Sequence, residues 1–159
     1  MLLSGFQGSA EPRTPKGFVG SFVWDMPDKA FGGLSAIELA PDGASLVALG
    51  DKAIFLEARI TRDASGQITG VTAGPIRPLL AARTGKPLTR ARADSEGLAT
   101  SATGEAFVSF ENRTRVARLD LQSGKTRDLD PHSAFANLPA NGALEALAIA
   151  DGPTLYAVP

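Results

Sequence analysis

The amino-acid sequence predicts an all-β protein, and three observations lead to this prediction. With 17 Gly and 11 Pro in 159 residues, few windows are long enough for a helix with apolar residues three and four apart. Short runs of alternating or β-branched apolar residues are common instead. Turn signals that contain Gly, Asp or Pro separate these runs. Many short strands with regular turns are typical of a sandwich, a barrel or a propeller.

The apolar runs predict strands, in chain order, at 17–24, 34–40, 45–49, 53–61, 68–73, 96–101, 106–111, 115–121, 144–150 and 154–158. Turns are predicted at 41–43, 63–66, 103–104, 123–124 and 151–153, because a tight reversal needs residues that adopt a positive or fixed φ. Asp42, Asp63 and Asp151 are interpreted as turn residues. The Pro-rich stretch 74–87 is interpreted as an insertion.

An internal repeat favours the propeller among the all-β folds. The segments 34–49, 95–110 and 144–158 each contain an apolar strand, a turn with Gly and a second apolar strand. Equivalent positions in the three segments, 35, 96 and 145, are 61 and 49 residues apart. Propeller blades recur at roughly this period, about 40–50 residues. The chain is therefore predicted to form about three to three and a half four-stranded antiparallel blades, an incomplete propeller, since closure usually takes at least four blades.

Composition excludes several classes of function. A net charge of -1 and a pI near 5.8 argue against a nucleic-acid-binding protein, which normally has a strongly basic face. The absence of Cys excludes thiolate metal sites and disulfides. No window has the apolar length of a membrane span, and the first residues of the chain lack the apolar stretch of a signal peptide.

Four carboxylates are the candidate metal ligands. Glu96 and Glu145 begin the predicted inner strand of two repeats, so both should point at the same central axis. Asp94 lies two residues before Glu96, the spacing that keeps both on one strand face, and Glu111 ends the next strand. Converging carboxylates repel one another unless a cation is present, and Ca²⁺ suits a ring of oxygen ligands. The structural alternative is that these acids close turns or accept backbone N–H groups.

Arg113 and Arg115 are the candidate substrate-binding residues, because guanidinium groups bind phosphate oxygens bidentately. The alternative is a cross-strand charge pair with Glu111 that contributes little. A second cationic run is interpreted as a solvated loop; it comprises Arg83, Lys86, Arg90 and Arg92.

A serine-hydrolase site is not predicted. The pattern G-x-S-x-G is absent, since the segment around Ser35 lacks the last glycine. The single histidine, His132, lies in a predicted loop and is interpreted as solvated.

Five short motifs in order resemble the phytase-like domain family called "esterase-like activity of phytase", from about Gly17 to the C-terminus. They lie at 31–35, 41–43, 94–99, 108–111 and 141–148. The resemblance implies a β-propeller of bacterial, usually exported proteins that hydrolyse phosphate or carboxylic esters. In the related β-propeller phytases, an Asp-Ala-Glu-Gly element helps hold calcium. Asp94, Glu96 and Gly97 match this element, with Ser95 in place of the alanine.

These inferences give one principal hypothesis and one alternative. Residues 1–16 are expected to form an N-terminal extension, and 17–159 the phytase-like propeller, as the N-terminal part of a longer domain. The principal hypothesis is an ester or phosphoester hydrolase that acts on a small-molecule substrate with carboxylate-bound calcium. The alternative is a non-catalytic propeller that binds a ligand or partner. The resemblance implies a periplasmic or secreted protein, and the ring is expected to be completed by a homodimer or by further C-terminal blades.

Overall fold

The computed structural model describes residues 16–139, 142–150 and 154–159. The all-β prediction is confirmed: the described residues form twelve strands and two short 3-10 turns, at Arg90–Arg92 and Ser133–Asn137, and contain no α-helix. The predicted turn at 151–153, residue 141 of the fifth motif and residues 1–15 of the predicted extension lie outside the described residues.

The first sheet is antiparallel, with its four long strands in chain order. A short fifth strand pairs with the start of the third. The strands are β1 (Leu34–Leu39), β2 (Ser45–Gly50), β3 (Ile54–Arg62), β4 (Ile68–Ala73) and β5 (Arg77–Pro78).

The second sheet has five strands and the third has two. The second sheet contains β6 (Leu80–Ala81), β7 (Ser95–Thr100), β8 (Ala106–Phe110), β9 (Arg115–Leu119) and β10 (Lys125–Asp128). Its order is β6-β10-β9-β8-β7, and only the short pairing of β6 with β10 is parallel. The third sheet pairs β11 (Ala146–Ile149) with β12 (Leu155–Val158). All three are open sheets rather than closed barrels.

The predicted strand at 17–24 is wrong. This segment has no ladder partner, and its apolar side chains stay largely exposed, with Val23 at 87%. Trp24, the last residue of the segment, packs against Phe31, with 5.0 Å between the ring centroids and 54° between the ring planes. An apolar run becomes a strand only where a sheet edge accepts its hydrogen bonds, which explains the difference.

The stretch 74–87 carries two short strands that the sequence did not predict. β5 pairs with β3 in the first sheet, and β6 pairs with β10 in the second. The same stretch therefore joins both sheets. β10 was also missed, because only Thr126 of its four residues is buried and the run has no apolar pattern.

Four predicted turns are confirmed by the backbone. Positive φ values occur at the expected glycines, Gly43, Gly66, Gly104 and Gly124. The Asp42 carboxylate accepts hydrogen bonds from the amides of Ser45 (2.7 Å) and Ala44 (2.8 Å). These bonds lower the pKa of Asp42 to about 2. The Asp63 carboxylate likewise accepts from the amides of its own turn.

The main core fills the space between the first two sheets. Leu49 and Phe55 from the first sheet pack with Leu98, Val108 and Phe110 from the second, all nearly inaccessible to solvent. A smaller cluster joins the second sheet to the third. The strands that begin the three repeats, β1, β7 and β11, lie next to one another, with β7 in the middle. The starts of the three repeats therefore converge.

Two of these strands, β1 and β7, have a register irregularity near their start. The pairing of β1 with β2 shifts between Leu34 and Ala36, and that of β7 with β8 shifts between Ser95 and Leu98. Such a bulge interrupts the ladder and redirects the side chain next to it. In β7 the irregularity falls on Glu96 and Gly97. This end of the strands is called the carboxylate end below.

Candidate metal centre

Three of the predicted metal ligands converge at the carboxylate end. Oxygen atoms of Asp94, Glu96 and Glu111 lie within 4.8 Å of one another. Asp94 precedes β7, Glu96 lies within it, and Glu111 follows β8. Because β7 and β8 are antiparallel, the start of one lies beside the end of the other, and the Glu111 amide donates to the Asp94 carbonyl (3.0 Å). The sheet geometry thus brings together residues that are up to 17 positions apart in sequence.

Glu111 connects this cluster to the loop that carries Glu145. The side chain of Glu111 is only 5% exposed. Its Oε1 accepts hydrogen bonds from the amides of Gly142 and Ala143, the latter at 3.2 Å. Glu145 is exposed, and a hydrogen bond with the Glu111 carboxyl raises the pKa of Glu145. Glu145 therefore lies at the rim, beside the three clustered carboxylates.

The electrostatics of the cluster are most evident at Glu96. Its pKa rises from 4.5 to about 7. Burial is the largest cause, followed by repulsion from Glu111, Glu145, Asp94 and Asp51. None of these five carboxylates forms an ion pair with the described Lys and Arg side chains. Negative charge is therefore concentrated here, and no ion pair among the described residues offsets it.

Asp51 belongs to this end of the molecule, and the sequence analysis missed it. It follows the last residue of β2, just as Glu111 follows the last residue of β8. An acidic residue directly after the second strand of a repeat is the sequence pattern that could have identified Asp51 as a candidate. Its Oδ1 is buried without a hydrogen-bond partner. The carboxyl packs against Gly33, where an added Cβ would lie 2.7 Å from Oδ1. A larger residue at position 33 would push Asp51 away.

The donor set fits a hard divalent cation such as Ca²⁺, which takes about six to eight oxygen ligands. Asp94, Glu96 and Glu111 offer carboxylate oxygens within reach of a single ion. The buried Asp51 Oδ1 lacks a partner, and the pKa of Glu96 is raised first by burial and then by repulsion from the neighbouring carboxylates. A cation here would stabilise the ionised forms of these groups.

The comparison with protein-family models identifies the family. The phytase-like model described as "Esterase-like activity of phytase" matches residues 29–159. The chain belongs to the phytase-like family. No curated protein matches the sequence at a significant level. Among solved structures, the phytase-like chain is similar to one titled "Structure of U3-55K", with 17% identity and a TM-score of 0.48. That match covers 79% of this chain and 32% of the other, so the chain spans about a third of that structure.

Within the part of the phytase-like chain that the structure describes, none of the helical segments has the length and apolar character needed to span a membrane.

Two buried serines position the strands of this phytase-like site. The Ser109 hydroxyl donates to the Leu144 carbonyl and accepts from the Gly97 amide, both at 2.8 Å. It therefore joins the backbone next to Glu145 to the backbone next to Glu96. Ser109 was not predicted as a site residue, because a single serine within an apolar strand does not indicate from the sequence whether its hydroxyl is buried and hydrogen-bonded.

The second serine is Ser95, which replaces the alanine of the phytase element. Its hydroxyl donates to the Gly50 carbonyl (2.7 Å) and accepts from the Ala53 amide (3.1 Å). The residue is inaccessible to solvent. Ser95 thus fixes the start of β7 to the turn between β2 and β3, the turn that carries Asp51.

The two candidate substrate-binding arginines lie in different environments. Arg115 is buried, with its guanidinium 3.7 Å from the centre of the Phe110 ring. It donates to the carbonyls of Arg92 (2.6 Å) and Arg113 (3.0 Å) and pairs with Asp128 (3.3 Å). Burial lowers the pKa of Arg115 to about 10. These contacts favour a structural role for Arg115.

Arg113 is exposed and forms no ion pair with the described residues. It lies two positions after Glu111 and near enough to Arg115 to contribute to the lowered pKa of that residue. Its side chain is therefore available to solvent beside the carboxylate end. That Arg113 binds substrate stays a prediction.

Proposed function

We propose that this phytase-like protein hydrolyses phosphoesters or carboxylic esters of small molecules, and that Asp94, Glu96 and Glu111 hold a calcium ion for this purpose. The convergence of these carboxylates without basic partners supports the proposal. Family membership supports an esterase-like activity.

Calcium, when bound, supplies positive charge that offsets phosphate charge and lowers the pKa of a bound water. The Glu111 amide donates to the Asp94 carbonyl, and the Ala143 amide donates to the Glu111 carboxylate, so these bonds hold the two acids in place. Glu145 is exposed at the rim beside Glu111, and a glutamate carboxylate in this position can accept a proton from a water molecule. We therefore assign Glu145 the proton from the attacking water; as the ester bond breaks, this proton passes to the oxygen of the leaving alcohol.

Arg113 is the proposed substrate-orienting residue. Arg113 follows Glu111 by two residues, and its guanidinium is exposed to solvent. A guanidinium binds two phosphate oxygens at once. Arg115 would act on substrate only indirectly, by fixing the backbone of Arg113 through its hydrogen bond to that carbonyl.

The proposed fold of the whole assembly is a β-propeller in which the three sheets are successive blades. The side-by-side arrangement of β1, β7 and β11 supports this proposal, because the first strand of each blade lines the axis of a propeller. A second copy or further blades would complete the ring. Light scattering tests this: a well-behaved monomer of 16.5 kDa would argue against completion by a second copy.

A periplasmic or secreted location in bacteria is also part of the proposal.

The experiment that tests the function combines calcium binding with hydrolysis. Calcium should raise the melting temperature of the wild type, and Glu96→Gln should abolish the rise. Glu145→Gln should reduce hydrolysis of p-nitrophenyl phosphate or acetate more than it reduces calcium binding. Glu105→Gln is the matched control, because Glu105 is a half-buried glutamate at the opposite end of the second sheet, where it pairs with Arg118 (3.1 Å).

Two outcomes would count against the proposal. A melting temperature that is insensitive to calcium, together with unchanged hydrolysis in both variants, contradicts it outright. Calcium binding without hydrolysis of either ester would favour the alternative of a non-catalytic binding protein.

A further inference from the structure

A cavity of about 670 Å³ lies between the first two sheets, at the end of the strands away from the carboxylates. It is bordered by the end of β1 at Glu38, the start of β2 at Ser45 and the end of β7 at Thr100. None of the proposed metal ligands lines it. Its volume falls within the range of small-molecule sites, about 300–1,000 Å³. The cavity is therefore separate from the proposed hydrolytic site.

The strand register defines the floor of this cavity. Glu38 of β1 pairs with Val47 of β2, and Val47 pairs with Glu57 of β3. Paired residues share a sheet face, so one valine lies between two glutamates. Neighbouring strands are about 4.8 Å apart, which places the two glutamate Cα atoms about 10 Å apart. Pro41 and Leu121 add apolar surface to the lining.

The charges that line the cavity are unequally compensated. Glu57 forms an ion pair with Arg77 (2.8 Å), and the Arg59 guanidinium donates to the Ser45 hydroxyl (3.0 Å). Glu38 forms no ion pair with the described residues. Its recorded side-chain hydrogen bond comes from the Thr100 hydroxyl, at 3.3 Å. Partial burial raises the pKa of Glu38, as expected for a carboxyl next to apolar surface without a cation.

We propose that this cavity binds an organic cation, with its ammonium group on Glu38 and a flat apolar body on Val47 and Leu121. The Glu38 carboxylate is the group on the floor that lacks a counter-charge, and a ligand ammonium would supply both the charge and a second hydrogen bond. The apolar lining accounts for the body of the ligand. This site is independent of the proposed calcium centre.

The test uses three probes with the same ring system and different charge: naphthylmethylammonium, naphthylmethanol and naphthoate. We expect the ammonium probe to bind the wild type more tightly than the alcohol, by about tenfold, and naphthoate to bind most weakly. Glu38→Gln should remove the preference for ammonium and leave the affinity for the alcohol nearly unchanged. Glu57→Gln, the matched control on the same floor, should keep the preference, because Glu57 already has Arg77 as its partner.

Equal affinity for the three probes, or loss of the preference in Glu57→Gln but not in Glu38→Gln, overturns the proposal. A measurement on the wild type alone guards against misfolding of the variants. The ammonium probe should shift the NMR amide signals of Gly74 and Gly104, which line the cavity, and not those of Gly97 and Gly142 at the carboxylate end. Shifts confined to the carboxylate end would equally overturn it.

Discussion

Replacing Glu96 with glutamine removes one negative charge from the carboxylate end and keeps the shape of the side chain. In the wild type without metal, the pKa of Glu96 is raised from 4.5 to about 7. This difference corresponds to about 3 kcal/mol between the protonated and ionised forms. Because the carboxyl is partly exposed to solvent, screening reduces it, and we expect about 1–2 kcal/mol.

Proton binding by Glu96 determines whether the free energy of unfolding rises or falls with pH. The folded protein holds the Glu96 proton more tightly than the unfolded chain does. The stabilisation is therefore fully present below the unfolded pKa of 4.5 and is lost as the pH rises through about 7. Glutamine does not titrate. In EDTA, the free energy of unfolding of the wild type should thus fall by about 1–2 kcal/mol relative to Glu96→Gln between about pH 4 and pH 8.

Urea unfolding of both proteins at the two pH values measures this difference. Other titrating groups such as Glu38 are present in both proteins, so their contribution largely cancels. Calcium should reverse the order at the higher pH, because an ion that binds the folded state stabilises the wild type and Glu96→Gln has lost a ligand. A stability difference that stays constant from the lower to the higher pH in EDTA would refute the reasoning about Glu96.

Three further predictions concern residues that support the site. Ser109→Ala should destabilise the protein by about 1–3 kcal/mol in urea unfolding, because it leaves the buried Gly97 amide and Leu144 carbonyl without partners; an unchanged midpoint would contradict this. Gly97→Ala should cost about 1–3 kcal/mol in the same assay, since its Cβ would lie 2.5 Å from the Ser109 hydroxyl and 2.8 Å from a backbone nitrogen, and a neutral effect would show that β7 relaxes. Arg115→Gln should lower stability by about 2 kcal/mol and leave the KM for a phosphoester nearly unchanged, whereas a selective rise in KM at constant stability would assign Arg115 to substrate binding.

Much of the candidate site was predictable because its geometry follows from strand periodicity and repetition. Asp94 and Glu96 are two residues apart at the start of one predicted strand, and Glu145 occupies the same repeat position as Glu96. These relations need no knowledge of side-chain packing. Asp51 was missed because a single aspartate after a strand looks like an ordinary turn residue. Only its buried, unpartnered oxygen distinguishes it.

The parts of the fold that the sequence did not reveal depend on partners distant in the chain. β10 has a polar sequence and forms because β9 on one side and β6 on the other accept its hydrogen bonds. Conversely, the segment 17–24 has the composition of a strand but pairs with none of the described strands. Local propensity is overridden in both directions by the availability of a neighbouring strand.

The register irregularity recurs in two sheets of the same chain, at matching places near the start of β1 and of β7. In β1 it falls on Ser35, and in β7 on Glu96 and Gly97. The local backbone that presents a side chain at the carboxylate end is thus shared by β1 and β7, whereas the residue at the equivalent position differs, serine at 35 and glutamate at 96. Within one chain, the unit with Ser35 is a natural scaffold for engineering: Ser35→Glu would add a carboxylate beside those already there, and the number of metal ligands could be changed without redesigning a strand.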